Sequence, residues 1–152
     1  MFTPMLYLAA PLFNDRERSF NLELAAALSP YADIFLPQRD GDLLVELVKD
    51  GVPVSLAEKR VFDQDFRAMA RADALVAVLD GAHVDEGVAV EIGVMRALGK
   101  MCIGFQTDVR RALPTGNNPM ISGAMHFICE NTHDLVAIVR RCQPDIVTVG
   151  RD

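Results

Sequence analysis

The residues whose spacing points to chemistry in this 152-residue chain are carboxylates set inside apolar helical stripes. In the segment DEGVAVEIGVMRALGK, Gly87, Val88, Glu91, Val94, Met95 and Leu98 recur at the intervals of one helical face, so Glu91 is the only charge on an otherwise apolar stripe. Upstream, Val61, Phe62, Asp65, Phe66 and Met69 make a second stripe with Asp65 in its middle, whereas Asp63 falls off it. A carboxylate in such a place must be paired, hydrogen-bonded or open to a cleft, because burying it alone is costly. Two plainer readings stand beside that one: the stripe lies at the surface, or Glu91 makes a structural ion pair. Asp80, Asp85 and Glu86 flank the loop before the Glu91 helix, where Asp85 has the type and place of an N-cap. Gly87 stands one turn before Glu91 and Gly93 two residues after it. Each costs the helix roughly 1 kcal/mol relative to alanine, a sign of close packing or of close approach by a ligand. Inward carboxylates next to surface free of side chains fit glycosyl chemistry, in which one carboxylate attacks the anomeric carbon and another handles the leaving group's proton.

Other chemistries lack their residues. No GxGxxG follows the first apolar run and there is no GxxxxGK[ST] or GxSxG, which leaves dinucleotide-binding, P-loop and serine-hydrolase readings without support. His83 precedes Asp85 and Glu86 without a PCxxC partner, so a zinc deaminase is disfavoured, and no metal site is expected. His126 and His133 read as structural or exposed. Fifteen Lys and Arg against 21 Asp and Glu give a net charge of −6, the wrong sign for a partner of polymeric nucleic acid or of an anionic membrane. Apolar runs break well before the ~20 residues that span a bilayer. The three cysteines, Cys102, Cys129 and Cys142, are odd in number and widely spaced, and no basic residue precedes the apolar N-terminal stretch. Both features lead to the expectation of a cytoplasmic protein.

The elements that must position these carboxylates alternate along the chain. Strands are expected at 5–10, 32–37, 74–80, 101–105 and 125–129. Helices are expected near 15–29, 55–71, 85–98 and 132–142, with a weaker one around 41–50. Near-continuous apolar strands between amphipathic helices predict a single domain over residues 1–152, an α/β fold with an open, five-stranded, mostly parallel sheet and helices on both faces. Ligands of such sheets bind beyond the carboxyl ends of the strands. The segments concerned are Ala10–Asn14, Pro37–Asp42, Asp80–Gly87 and the long stretch Gln106–Ala124, which reads as a functional loop.

Taken in order, Tyr7-Leu8-Ala9-Ala10-Pro11-Leu12-Phe13, Pro37-Gln38-Arg39-Asp40-Gly41, Asp65, the block ALVAVLDG, Asp85-x-Gly87-x-x-x-Glu91-x-Gly93 and Asn118-Pro119-Met120 resemble the nucleoside 2-deoxyribosyltransferase family over nearly the whole chain. The resemblance implies a flavodoxin-like sheet. It also implies exchange of the base on a 2'-deoxynucleoside with a free purine or pyrimidine base, through a covalent deoxyribosyl enzyme and without a cofactor. By the same resemblance Glu91 is similar to the nucleophile, Tyr7 to the hydroxyl that holds its carboxylate, and Asp65 to the residue exchanging a proton with the base. Asp85 would accept from a sugar hydroxyl beside Gly87, Phe13 would contact the base and Gln38 would lie near its edge. Asn118 and Met120 resemble residues that enter a neighbouring subunit's site, which implies a homo-oligomer. Leu12 stands where some relatives carry a larger aromatic, leaving base stacking to Phe13. A nucleophile must be ionised, so Glu91 needs donors to offset its desolvation, whereas an apolar setting among Phe62 and Phe66 would raise Asp65.

Two rival readings remain. A 2'-deoxynucleoside 5'-monophosphate N-glycosidase shares the fold and the nucleophile but lets water intercept the intermediate, and Arg16, Arg18 and Ser19 are its candidate phosphate ligands. A non-enzymatic receiver-like signalling module would use Asp80, but it needs an acidic pair where Ala9-Ala10-Pro11 stands and a Lys before Pro where Phe105-Gln106 stands. The tail Pro144–Asp152 is mixed in character, and in some relatives the terminal carboxylate reaches a site.

Overall fold

The run MLYLA at Met5–Ala9 forms β1, flanked on both sides because alternate residues are apolar in both directions. The structure is a computed structural model and describes residues 3–149. The terminal carboxylate of Asp152 lies outside the described residues. After β1 come α1 (Asp15–Leu28), β2 (Asp33–Phe35), α2 (Pro37–Asp40), α3 (Leu44–Lys49), α4 (Val54–Arg71) and β3 (Ala74–Val78). They are followed by α5 (Glu86–Ala97), β4 (Met101–Phe105), α6 (Pro119–Ala124), β5 (Phe127–Cys129) and α7 (Thr132–Val149). The strands lie in the order β2-β1-β3-β4-β5 and every neighbouring pair is parallel, so the sheet is parallel throughout rather than mostly so. This is the doubly wound order in which the chain reverses direction between β1 and β3.

Period-two alternation sorts the core into two layers. Leu6, Leu8, Val76, Val78, Ile103 and Phe105 face α1 and α7, while Tyr7, Ala9, Leu75, Ala77 and Leu79 face α4 and α5. Tyr7 pairs in register with Phe35 of β2 and Leu75 of β3, so its backbone is fixed from both sides. It is fully buried on the face that carries both suspect helices.

Four expectations change. Residues 37–40 form α2, with Pro37 at its start, and 119–124 form α6, capped by Asn118 with Pro119 at its first turn. The sequence pattern shows neither helix: Pro37 closes the expected strand 32–37, and 119–124 falls in the stretch that reads as a functional loop. The last strand starts at Phe127, although the His126 amide still bonds to the Cys102 carbonyl at 2.8 Å. The last helix continues to Val149 instead of ending at 142. Among the described residues no helix is long and apolar enough to cross a membrane.

Lys100, only 8% exposed, lies just before β4 and turns back onto the end of α4, where its Nζ donates to the carbonyls of Met69, at 3.0 Å, and of Ala70 and Ala72. These carbonyls belong to the C-terminal turn of α4, where a cation is favoured. Lys100→Met keeps the stem and removes the charge. It should cost about 2 kcal/mol of stability in urea unfolding, the worth of charge-assisted bonds left unmade.

Candidate active site

Glu91 sits in the second turn of α5, and its neighbours explain why a charge is found there. The buried line of this helix is Val88, Ile92 and Met95, so Glu91 stands half-buried at the margin of the apolar stripe rather than at its centre. From β1 the Tyr7 hydroxyl donates to Glu91 Oε1 at 2.6 Å. Tyr7 itself is held by stacking on Phe35, the ring centroids 5.5 Å apart. Burial, with the carboxylates of Glu91 and Asp65 nearby, pushes the Tyr7 phenol far above its usual range, so it stays a donor.

Beside Glu91 lies a cavity of about 220 Å³ lined by Leu12, Phe13, Leu43, Leu44, Val61 and Val88, with Asp42, Asp65, Asp85 and Glu91 as its acidic groups. A second trough of about 460 Å³ shares Leu44, Val61, Asp65, Gly87 and Glu91 with it and continues across α4 and α5. Three of the four segments expected to bear ligand contacts contribute to the smaller cavity: Ala10–Asn14, Pro37–Asp42 and Asp80–Gly87. Gln106–Ala124 instead lines a separate hollow with His83 and Ala89.

Burial raises the Glu91 carboxyl to about 8, the charges of Asp65 and Asp85 add to that rise, and the Tyr7 bond opposes it. Burial also raises Asp65, to about 6. The free protein therefore gives the higher value to Glu91, the reverse of the order expected for an ionised nucleophile beside a protonated acid. Nor do Phe62 and Phe66 enclose Asp65. They stack on each other at 6.0 Å and are 60% and 40% exposed, leaving an aromatic patch at the mouth of the trough.

Asp85 is both cap and wall: its Oδ2 accepts from the Val88 amide at 3.1 Å, and the residue lines the cavity. A Cβ on Gly87 would stand 3.1 Å from that Oδ2, which accounts for the glycine, whereas a Cβ on Gly93 would meet nothing within 4 Å. Close packing thus explains the first glycine and not the second. Phe13, 74% exposed, borders this cavity and an adjoining one of about 520 Å³.

The structure does not bring Gln38 to the site. Its Nε2 donates to the Arg18 carbonyl and its Oε1 accepts from Asn21, each at 2.9 Å, so the amide is used inside the scaffold. Asn118 Oδ1 caps α6 through the Met120 amide at 2.9 Å, and Met120 is 81% exposed; both border the hollow beyond His83 and neither reaches Glu91 of its own chain. Asp42 lines the cavity and was not singled out in the sequence; its place at the end of a segment following a strand is the signal that marks it. His126 accepts from the Cys102 amide through Nδ1 at 3.0 Å, a structural use. Asp80 accepts from Thr107 and Asp108 with its two oxygens, which ties β3 to β4 and occupies the group a receiver would leave free. Among the described residues no group of three or more His, Cys, Asp or Glu is placed to hold a metal ion.

Comparison with known proteins adds the family. The sequence model described as "Nucleoside 2-deoxyribosyltransferase" matches residues 6–138. Among solved structures, a conserved protein of Enterococcus faecalis V583 is similar at 24% identity and a TM-score of 0.77, covering 92% of this chain and 99% of that one. A 2-deoxyribosyltransferase of Bacillus psychrosaccharolyticus is similar at 21% identity and a TM-score of 0.72, over 89% and 95% of the two chains. A CMP N-glycosidase of Clostridium botulinum is similar at 18% identity and a TM-score of 0.55, over 89% and 97%. At these identities the structural likenesses speak to the fold. No curated protein matches the sequence.

The raised Glu91 carboxyl links the site to stability. A group whose folded value lies above its unfolded one contributes fully below the unfolded value, about 4.5 here, and loses that contribution as pH climbs to about 8. Glu91→Gln imitates the neutral acid. It should therefore flatten the fall in stability between pH 5 and 8 and leave the variant more stable than the parent at pH 8, by on the order of 2 kcal/mol. Chemical unfolding at both pH values measures this.

Proposed function

Since the chain belongs to the nucleoside 2-deoxyribosyltransferase family, we propose that it exchanges the base of a 2'-deoxynucleoside for another base through a deoxyribosyl ester on Glu91. The observation that carries this reading is the 2.6 Å bond from the buried Tyr7 hydroxyl to Glu91, which lines one cavity with Asp65 and Asp85. A Glu91 oxygen forms a bond to C1' as the C1'–N bond breaks, and the departing base takes the proton of Asp65. The incoming base then attacks C1', its proton passes to Asp65, and the ester bond breaks to restore the Glu91 carboxylate. Asp85 accepts from a hydroxyl of the sugar, Gly87 lets the sugar approach, and Phe13 covers the base. No step calls for a cofactor.

The productive state carries one proton on the Glu91–Asp65 pair, with Glu91 ionised and Asp65 protonated. The hydrogen bond from Tyr7 favours the anion at Glu91 and so draws that proton toward Asp65. Positive charge developing on the sugar acts in the same direction.

The active unit in this reading is a homo-oligomer in which Asn118 and Met120 complete a neighbour's site. Their exposure and their separation from Glu91 within one chain support it, as do the bare rings of Phe62 and Phe66 beside the trough. The three cysteines are free and buried, in keeping with a reducing, cytoplasmic setting. Hydrolysis of a 2'-deoxynucleoside 5'-monophosphate is the second reading. It is favoured by Arg16, which lines the neighbouring cavity that shares Phe13 and Asp85 with the site, whereas Arg18 is committed to Asp15 and to the Leu12 carbonyl.

Incubation with deoxyinosine and adenine should yield deoxyadenosine; free deoxyribose without any deoxyadenosine would favour the hydrolase. Glu91→Ala should abolish exchange while keeping the fold, and mass spectrometry after mixing with a 2'-deoxynucleoside alone should find a deoxyribosyl adduct on Glu91. Near parental activity of that variant would overturn the mechanism. Tyr7→Phe should lower kcat by about tenfold or more, the loss of a bond to a charged group. The rate should follow a bell in pH, rising as the first proton leaves the pair and falling as the second does, with limbs near about 6 and about 8.

A further inference from the structure

A base-exchange enzyme must hold the edge of the base as well as its face, and the residue expected there, Gln38, spends both its amide atoms on Arg18 and Asn21. The residues lining the cavity with ionisable side chains are Asp42, Asp65, Asp85 and Glu91, and Asp42 also borders a second hollow lined by Arg60 and Gln64. Glu91 and Asp65 are committed to bond exchange and proton transfer, and Asp85 to the cap of α5 and the sugar. Asp42 is the polar group left over.

Its position is fixed by two contacts, both from α4. The Asp42 amide donates to Gln64 Oε1 at 3.0 Å, and Arg60 Nε donates to Asp42 Oδ2 at 2.7 Å, so α4 clamps the residue from behind. The preceding residue, Gly41, lies so close to Asp65 that a Cβ there would stand 3.7 Å from Asp65 Oδ1. Asp42 therefore borders the cavity beside the group that exchanges a proton with the base, while its Oδ1 has no partner among the described residues. A carboxylate held by arginine accepts hydrogen bonds and donates none.

Resting on the base-exchange reading above, we propose that Asp42 reads the edge of the nucleobase and sets a preference for bases that present an amino group there over those that present a carbonyl. An amino hydrogen bonds to the free Oδ1; a carbonyl oxygen at the same place meets a carboxylate and leaves two acceptors facing each other. Sites built to bond a polar group discriminate strongly against analogues that lack it.

Matched acceptors that differ in that group, adenine against hypoxanthine and cytosine against uracil, test this with 2'-deoxyguanosine or thymidine as donor. In whichever pair is accepted, kcat/KM should favour the amino base by about tenfold or more. Asp42→Asn, whose amide both donates and accepts, should bring that ratio toward unity or reverse it, and Asp42→Glu, which keeps the carboxylate, should keep its sign. A loop-shaping role for Asp42 would slow both members of a pair equally. A ratio unchanged in Asp42→Asn, or a parental preference for the oxo base, overturns the assignment while leaving base exchange intact. Absence of exchange with every donor and acceptor instead removes the base-exchange reading, and this one with it.

Discussion

A carboxylate stripped of water is a poor anion, and a glycosyl nucleophile must be an anion at the moment of attack. If Glu91 is the nucleophile, as proposed above, the bond from Tyr7 to Glu91 is where this protein meets that conflict. Burial pulls the Glu91 carboxyl up, and the neighbouring acids pull the same way. Against them stands one phenol whose own proton is held fast by the same burial. A hydroxyl that cannot ionise is a dependable donor, and a donor placed on a rigid strand costs no reorganisation when charge develops. Whatever lowers the donor's precision lowers the population of ionised Glu91.

The rest of the fold can be read as the means of keeping that donor still. Tyr7 lies on β1, paired on one side with β2 and on the other with β3, next to the point where the sheet reverses its winding. Its alternation places it on the α4 and α5 face, opposite Leu6 and Leu8, and its ring is wedged against Phe35. Glu91 is carried by a helix whose first turn is capped by Asp85, so the cap and the Glu91 carboxylate belong to one element. The helix bearing Asp65 is fastened at its far end by Lys100, whose stem crosses from the start of β4. Three elements far apart in sequence thus bring Tyr7, Asp65 and Glu91 together because β1 lies inside the sheet and α4 and α5 pack on the face to which Tyr7 points.

Much of this was legible in the residues. The wrong-signed residues in the two stripes, Glu91 and Asp65, do line one cavity, and the alternation of apolar runs with helical periods gives the α/β layers. What escaped reading has physical reasons. Helices α2 and α6 span four and six residues, too few for a period to show, although Pro37 and Asn118-Pro119 carried the capping signals. The stripe on α5 is displaced by one position because helical periodicity alone does not say which edge of an apolar arc faces the sheet; Val88, Ile92 and Met95 take the core and Glu91 takes the rim. Gln38 has the type expected of a base reader, but its direction depends on Asn21 and Arg18, which only the folded chain brings beside it.

The same cavity explains why one chain has the look of an incomplete site. Its polar lining is acidic, and acidic side chains in their charged form accept hydrogen bonds without giving any. A deoxynucleoside presents acceptors too, at its ring oxygen and at ring nitrogens or carbonyls of the base. In the reading proposed here, side-chain donors for those atoms must come from a protonated Asp65 or from another chain, where Asn118 supplies an amide. The apolar trough with exposed Phe62 and Val90, and Phe66 stacked on Phe62, continues from the acids onto open surface. A neighbour seated there would contribute donors and exclude water in the same step, and exclusion of water is what separates transfer to a base from loss of the sugar to hydrolysis. Whether such a site behaves as a transferase or as a glycosidase then depends less on Glu91 and Tyr7, which serve both reactions, than on how completely the mouth of the trough is covered.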